Sequence, residues 1–169
     1  MMSLSAKDQL NELFVELNAK IEEINIQRRR DGDFGLTKAR VQLLGQVSLL
    51  VHEAVSAVLS LAQTGDLDAL LDMEYTVKKE FKIILQKQGL VYDEDSYLIW
   101  IPPGARFDLL FDLDHVMIEA IDPESALVSK AVKAPEKNRQ LIRQAIAAEK
   151  FPTLVDRILE NGGRLEDFL

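Results

Sequence analysis

Aspartates two residues apart recur along this chain, as Asp31/Asp33, Asp66/Asp68, Asp93/Asp95 and Asp112/Asp114. On a β-strand such residues project from one face, so the two carboxylates can be aimed at a single point. Magnesium asks for that arrangement: a few hard oxygen ligands, with the remaining positions left to water and phosphate oxygens. Spacing alone selects none of the pairs; their flanks do. Asp31/Asp33 lies in a glycine loop and Asp93/Asp95 in a polar turn, whereas Asp66/Asp68 sits among Leu67, Ala69, Leu70 and Leu71. Asp108 is likewise embedded between Phe107 and Leu109-Leu110. A carboxylate in an apolar strand is costly unless it is paired or metal-bound, so each of these three asks for an explanation.

Charge is unevenly distributed around them. From Asp93 to Glu124 the only Lys or Arg among nine acids is Arg106, and then Lys130, Lys133, Lys137, Arg139, Arg143 and Lys150 follow with few acids between. An acidic cluster beside a basic helix suits a metal with a polyphosphate; two solvated faces are the simpler account of the same pattern. The overall net charge of −8 argues against binding duplex DNA, which needs a basic surface to displace counterions.

These residues must be positioned by a folded core. With 47% hydrophobic and 28% charged residues in 169, the chain has the composition of a globular protein and the length for one core. One domain over 1–169 is expected: an N-terminal helix and loop (1–36), a core (37–122) and C-terminal helices (123–169). Cysteine is absent, which excludes disulfides, zinc-thiolate sites and cysteine nucleophiles. A reducing compartment fits best. The N-terminus lacks the apolar stretch of a secretory signal, and the apolar segment from Val47 to Leu61 is broken by His52 and Glu53. A cytoplasmic protein without membrane association is expected.

Leu10, Leu13, Phe14, Leu17, Ile21 and Ile24 recur at helical steps and predict a helix from about Ser5. Arg28-Arg29-Arg30 precedes a glycine loop, where a solvated helix end is the plain reading and phosphate contact the functional one. Arg40 to Gly45 reads as a short strand stopped by glycine, with a helix from Gln46 to about Ser60. Thr64 to Leu71 fits a strand or a helix start capped by Asp66 equally well. Val77, Phe81, Ile84 and Leu85 predict a helix ended by Gly89. Tyr97–Ile101 and Phe107–Phe111 read as a hairpin joined by Pro102-Pro103-Gly104, with Val116–Ile121 as a third strand. Asp122-Pro123 opens a helix to about Lys133; further helices are expected over 136–149 and 153–161. His52 reads as a core or surface histidine, His115 as a turn residue, and Trp100 as core, an exposed indole being able to stack on a base.

In chain order come Leu43-Leu44-Gly45-Gln46-Val47-Ser48, Thr64-Gly65-Asp66-Leu67-Asp68, Arg106-Phe107-Asp108-Leu109-Leu110, Ile121-Asp122-Pro123 through Lys130, and Pro135-Glu136-Lys137-Asn138. This succession, from about Val41 to Ala148, resembles the minimal nucleotidyltransferases, especially those of bacterial toxin-antitoxin systems. The resemblance implies an α+β fold: a small mixed β-sheet flanked by helices, with an N-terminal helix and a helical C-terminal region. It implies that Asp66, Asp68 and Asp108 hold magnesium on a nucleoside triphosphate, expected to be ATP. The turn of Gly45, Gln46 and Ser48 would approach the phosphates, and Lys130 or Lys137 would neutralise their charge. The implied activity is nucleotide transfer to a hydroxyl on a protein or RNA, with pyrophosphate leaving. Two positions depart from the family pattern: Gln46 stands where a serine or glycine lets the backbone wrap phosphate, and Asn138 stands where a lysine-aspartate pair is usual. A catalytically degenerate relative, acting as a binding or regulatory module with a protein partner or a second copy of itself, is the alternative. A mostly helical interaction protein is the third reading.

Overall fold

The computed structural model describes residues 5–169. Helix α1, Ala6–Arg30, starts where the Ser5 Oγ accepts a 3.1 Å hydrogen bond from the Asp8 amide, and it buries Leu10, Leu13, Phe14, Leu17 and Ile21. Strand β1, Ala39–Leu43, leads into α2, Gly45–Leu50, and α3, Glu53–Ser56. The single helix expected over Gln46–Ser60 is therefore broken. His52 is extended (φ −89°, ψ 98°), and the amides of Val55 and Ser56 bond to its carbonyl. Val47, Val51 and Val55 are stiff, β-branched residues that propagate a helix poorly.

The ambiguous Thr64–Leu71 segment is extended, as β2, Asp66–Leu67, and β3, Ala69–Asp72, so Asp66 caps no helix. Helix α4, Tyr75–Lys87, and strand β4, Val91–Tyr92, follow. The hairpin expected from Tyr97–Ile101 does not form. Ser96–Leu98 is a 3₁₀ turn, and β5, Phe107–Asp112, pairs instead with β6, Val116–Ile121. Pro102 and Pro103 have no amide hydrogen for a ladder, which disfavours a strand running up to them. Helix α5, Pro123–Lys133, is capped by the Asp122 carboxylate and starts with proline as expected. Pro135 keeps Ala134 (φ −143°) out of helical geometry and so ends α5. Residues 135–138 form a turn closed by the Asn138 amide on the Ala134 carbonyl at 3.2 Å, and α6 begins after Asn138 (φ −107°, ψ 13°), as Arg139–Ala147. Helix α7 is Leu154–Glu160.

These elements make an α+β fold with a small mixed sheet in the order β3-β1-β6-β5. β1 runs antiparallel to β3 and parallel to β6; β5 and β6 are antiparallel. A separate two-stranded parallel pair joins β2 and β4. Side-chain alternation divides the core. Val41, Leu43, Ala69, Ile118 and Ala120 pack with α1 and α4, where Phe14 and Phe81 stack at 5.7 Å. Leu44 and Ile121, on the other face, pack with α5, α6 and α7. That second face is only partly covered: beyond Leu44 it carries Gln42 and Arg40, tied to Glu119, with the Arg40–Glu119 pair at 2.6 Å. Among the described residues, no helix is long and apolar enough to cross a membrane.

Candidate functional site

At the end of β1 the chain must turn sharply, and Gly45 (φ 57°) makes the turn. The β1·β3 pairing runs one step past Leu43 and Ala69: the Leu44 amide donates to the Asp68 carbonyl at 2.8 Å. The Asp68 carboxylate therefore lies against the Gly45 turn, so close that a Cβ on residue 45 would stand 2.4 Å from its Oδ2. Glycine is required here twice, by its left-handed backbone and by the carboxylate.

The parallel pair β2·β4 supplies a second acid. Asp66 lies opposite Val91 and Leu67 opposite Tyr92, and the Asp93 amide continues the ladder to the Leu67 carbonyl at 3.0 Å. The next step sets Asp68 beside Asp93, and their carboxyl groups are within hydrogen-bonding reach. Burial pushes the Asp68 carboxyl up to about 6, and the hydrogen bond and charge of Asp93 add to the rise. Two carboxylates that crowd together hold a shared proton above the usual aspartate range.

A cavity of about 650 Å³ is lined both by this pair and by the basic end of α5. Lys130, Lys133 and Lys137 all line it, as do Asn138 and Ser129. The Lys130 ammonium is pushed below the ordinary lysine value, by burial first and then by the like charge of Lys137, while Asp68 opposes the shift. Buried Leu44, Ile121 and Ala126 and the more exposed Leu98, Ile99 and Trp100 complete its lining. Ser129 Oγ donates to the Trp100 carbonyl at 2.6 Å, and the Lys133 Nζ stands 5.2 Å from the Trp100 ring centroid. Helix α5 is fixed at its start: Asp122 Oδ2 accepts from the Ser125 amide at 3.0 Å and Oδ1 from the Arg106 amide at 2.8 Å.

Of the residues expected to form a site, the structure brings together Asp68, Gly45, Lys130 and Lys137. Asp66 lines a different, smaller cleft with Gln9, Val47 and Thr64, although its charge still contributes to the raised Asp68 value. Asp108 does not converge with Asp68. It is in register with Ala120, which continues through Leu43 to Ala69, and Asp68 is one residue away from that row, hence on the opposite face. It also sits on the far edge strand, three strand spacings or about 14 Å from β3. The expected trio of Asp66, Asp68 and Asp108 thus cannot share a cation; strand order, which sequence spacing does not encode, separates them. Among the described residues, no group of three or more His, Asp or Glu side chains is gathered as a metal site. Gln46 and Ser48 also point elsewhere: the Gln46 amide donates to the Ala62 carbonyl at 2.9 Å, and the fully buried Ser48 donates to the Gly45 carbonyl at 2.6 Å.

Asp93 is the residue sequence reading passed over. Its signal was the Val91-Tyr92 dipeptide before it, which matches Leu67 before Asp68 as a short β-run ending in aspartate. Compared with protein-family models, curated proteins and solved structures, the chain matches none.

Proposed function

We propose that this is a nucleotidyltransferase-like protein that binds the polyphosphate of a nucleoside triphosphate, ATP in the first instance, between Asp68/Asp93 and Lys130/Lys133/Lys137. The observation that carries the reading is that one cavity is lined by a partly buried carboxylate pair and by three lysines, with Lys130 close enough to act on the Asp68 charge. Lysines there match phosphate charge, and a cavity of this size accommodates a nucleotide. The pair fits magnesium: two hard oxygen donors side by side leave coordination positions for phosphate oxygens and water. When bound, magnesium would neutralise phosphate charge and favour departure of pyrophosphate. The chain's own residues orient the ligand. Gly45 leaves room for the Asp68 carboxylate at the sheet end, the half-buried Lys130 holds charge, and the exposed Lys133 and Lys137 close on the ligand.

Transfer of the nucleotide to a hydroxyl on a protein or RNA is the activity this reading implies, with Asp68 and Asp93 as the acids beside the reacting phosphate. One observation favours the second reading, a binding or regulatory module: the third acid, Asp108, lies on the other face of the sheet. The two readings separate on α-labelled ATP with magnesium. Label retained covalently on a protein or RNA acceptor, and abolished by Asp68→Asn, supports transfer. Binding without retention supports the module. Absence of ATP binding with magnesium, or affinity unchanged after Lys130→Glu, Lys133→Glu and Lys137→Glu together, would remove the cavity as a nucleotide site.

A further inference from the structure

The chain's single tryptophan, Trp100, lines this cavity. Trp100 is only partly buried: it packs against the cluster under α5 and α7 while also lining the cavity. Its backbone carbonyl accepts from the Ser129 hydroxyl, which ties this stretch of chain to α5. Over the ring stands an ammonium, that of Lys133, itself exposed and on the same cavity wall as Lys130 and Lys137. Leu98, which lines the same cavity, is 67% exposed.

We propose that Trp100 is a nucleobase platform and that Lys133 is its exchangeable cover. The inference rests on the polyphosphate reading above. With the phosphates held between the acid pair and Lys130, the rest of the ligand lies in the same cavity, whose lining offers it one aromatic face, that of Trp100. In the ligand-free protein Lys133 satisfies the π-face electrostatically. An incoming phosphate offers its ammonium a full negative charge, a stronger partner than a ring quadrupole. Lys133 then moves from ring to phosphate, and the vacated face stacks on the base. The ligand class that follows is a nucleoside polyphosphate with a large flat base, purines binding more tightly than pyrimidines because more ring area overlaps the indole.

The test compares magnesium with ATP, UTP and inorganic tripolyphosphate. Calorimetric affinities are measured for the wild type, Trp100→Phe and Trp100→Leu, and wild-type tryptophan emission is excited beyond the absorption of the bases. The proposal expects ATP to quench Trp100 emission, to bind more tightly than UTP, and to bind more tightly than tripolyphosphate. In Trp100→Leu, ATP affinity drops about tenfold to the tripolyphosphate level, a change on the scale of one lost stacking contact. Trp100→Phe falls between, and tripolyphosphate binds all three proteins equally. Tripolyphosphate and ATP binding the wild type equally, or Trp100→Leu weakening both alike, overturns the platform while leaving the polyphosphate site intact. If neither ligand binds the folded wild type, the polyphosphate reading and the platform both fall. Circular dichroism of each variant confirms that affinity is compared between folded proteins.

Discussion

Removing the charge of Asp68 should stabilise the ligand-free protein, and should do so only at the higher end of the pH range. The Asp68 carboxyl sits at about 6 in the folded protein against an ordinary 3.8, with the attraction of Lys130 already included. The folded state therefore binds the proton more tightly than the unfolded one, and stability falls as pH rises from about 4 to about 6, then levels off. At about 1.36 kcal/mol per pH unit, a shift from 3.8 to about 6 sets a ceiling near 3 kcal/mol. The side chain is only partly buried, so water screens the penalty and about 1 kcal/mol is expected. Asp68→Asn mimics the protonated form. At pH 7.5, in the absence of divalent cations, the variant should melt roughly 2–4 °C above the wild type, and at pH 4 the difference should vanish. Thermal unfolding followed by circular dichroism at both pH values measures this directly. A variant that melts below the wild type at pH 7.5, or whose offset is the same at both pH values, would refute the crowded-pair account.

Further expectations follow from the same geometry. Asp93→Asn should lower the Asp68 carboxyl only part of the way, because burial is the larger cause, and so reduce the pH dependence of melting between about 4 and 6, as pH-titrated melts of that variant would show. Gly45→Ala should cost roughly 1–2 kcal/mol from its left-handed backbone alone, and should weaken ATP binding by displacing Asp68; denaturant melts and calorimetry check the two effects separately. Asp122→Ala removes the α5 cap and the partner of the Arg106 amide, so about 1–2 kcal/mol should be lost in urea unfolding. The Asp122 carboxyl lies below its ordinary value through the Arg106 and Ser125 hydrogen bonds, which outweigh its burial, so this stabilisation is present above the normal aspartate range and fades as pH falls through it. His52 Nε2 is buried without a partner, and burial lowers the imidazole's affinity for a proton, so His52→Leu should be neutral at pH 8 and relatively stabilising below pH 6.5, read by melting in paired buffers.

Some of this site was legible in the chain and some was not, for identifiable reasons. Local signals carried well. The Leu10-to-Ile21 stripe predicts α1 and Asp122-Pro123 the start of α5, and Lys130 and Lys137 line one cavity with Asp68 and Asp93. What failed depends on pairing at a distance. Asp108 has the apolar flanks of a buried catalytic acid, yet strand order and a one-residue parity put it on the other edge and the other face. Asp93 has the flanks of a solvated turn, yet the parallel β2·β4 register sets it beside Asp68. The Tyr97–Ile101 run has β-rich composition, but two following prolines deny it a ladder. A one-residue change in register exchanges the faces of a strand, and no local composition reports it.

The most direct test of the central claim is the melting temperature of the wild type with magnesium and ATP present together. Ligand at about one hundred times its dissociation constant adds about 2.7 kcal/mol to the folded state, a rise of roughly 5–10 °C for a chain of this size. The account predicts that rise with both present, a smaller one with either alone, and none in Lys130→Glu. A wild type whose melting temperature stays fixed in millimolar ATP with magnesium would contradict it.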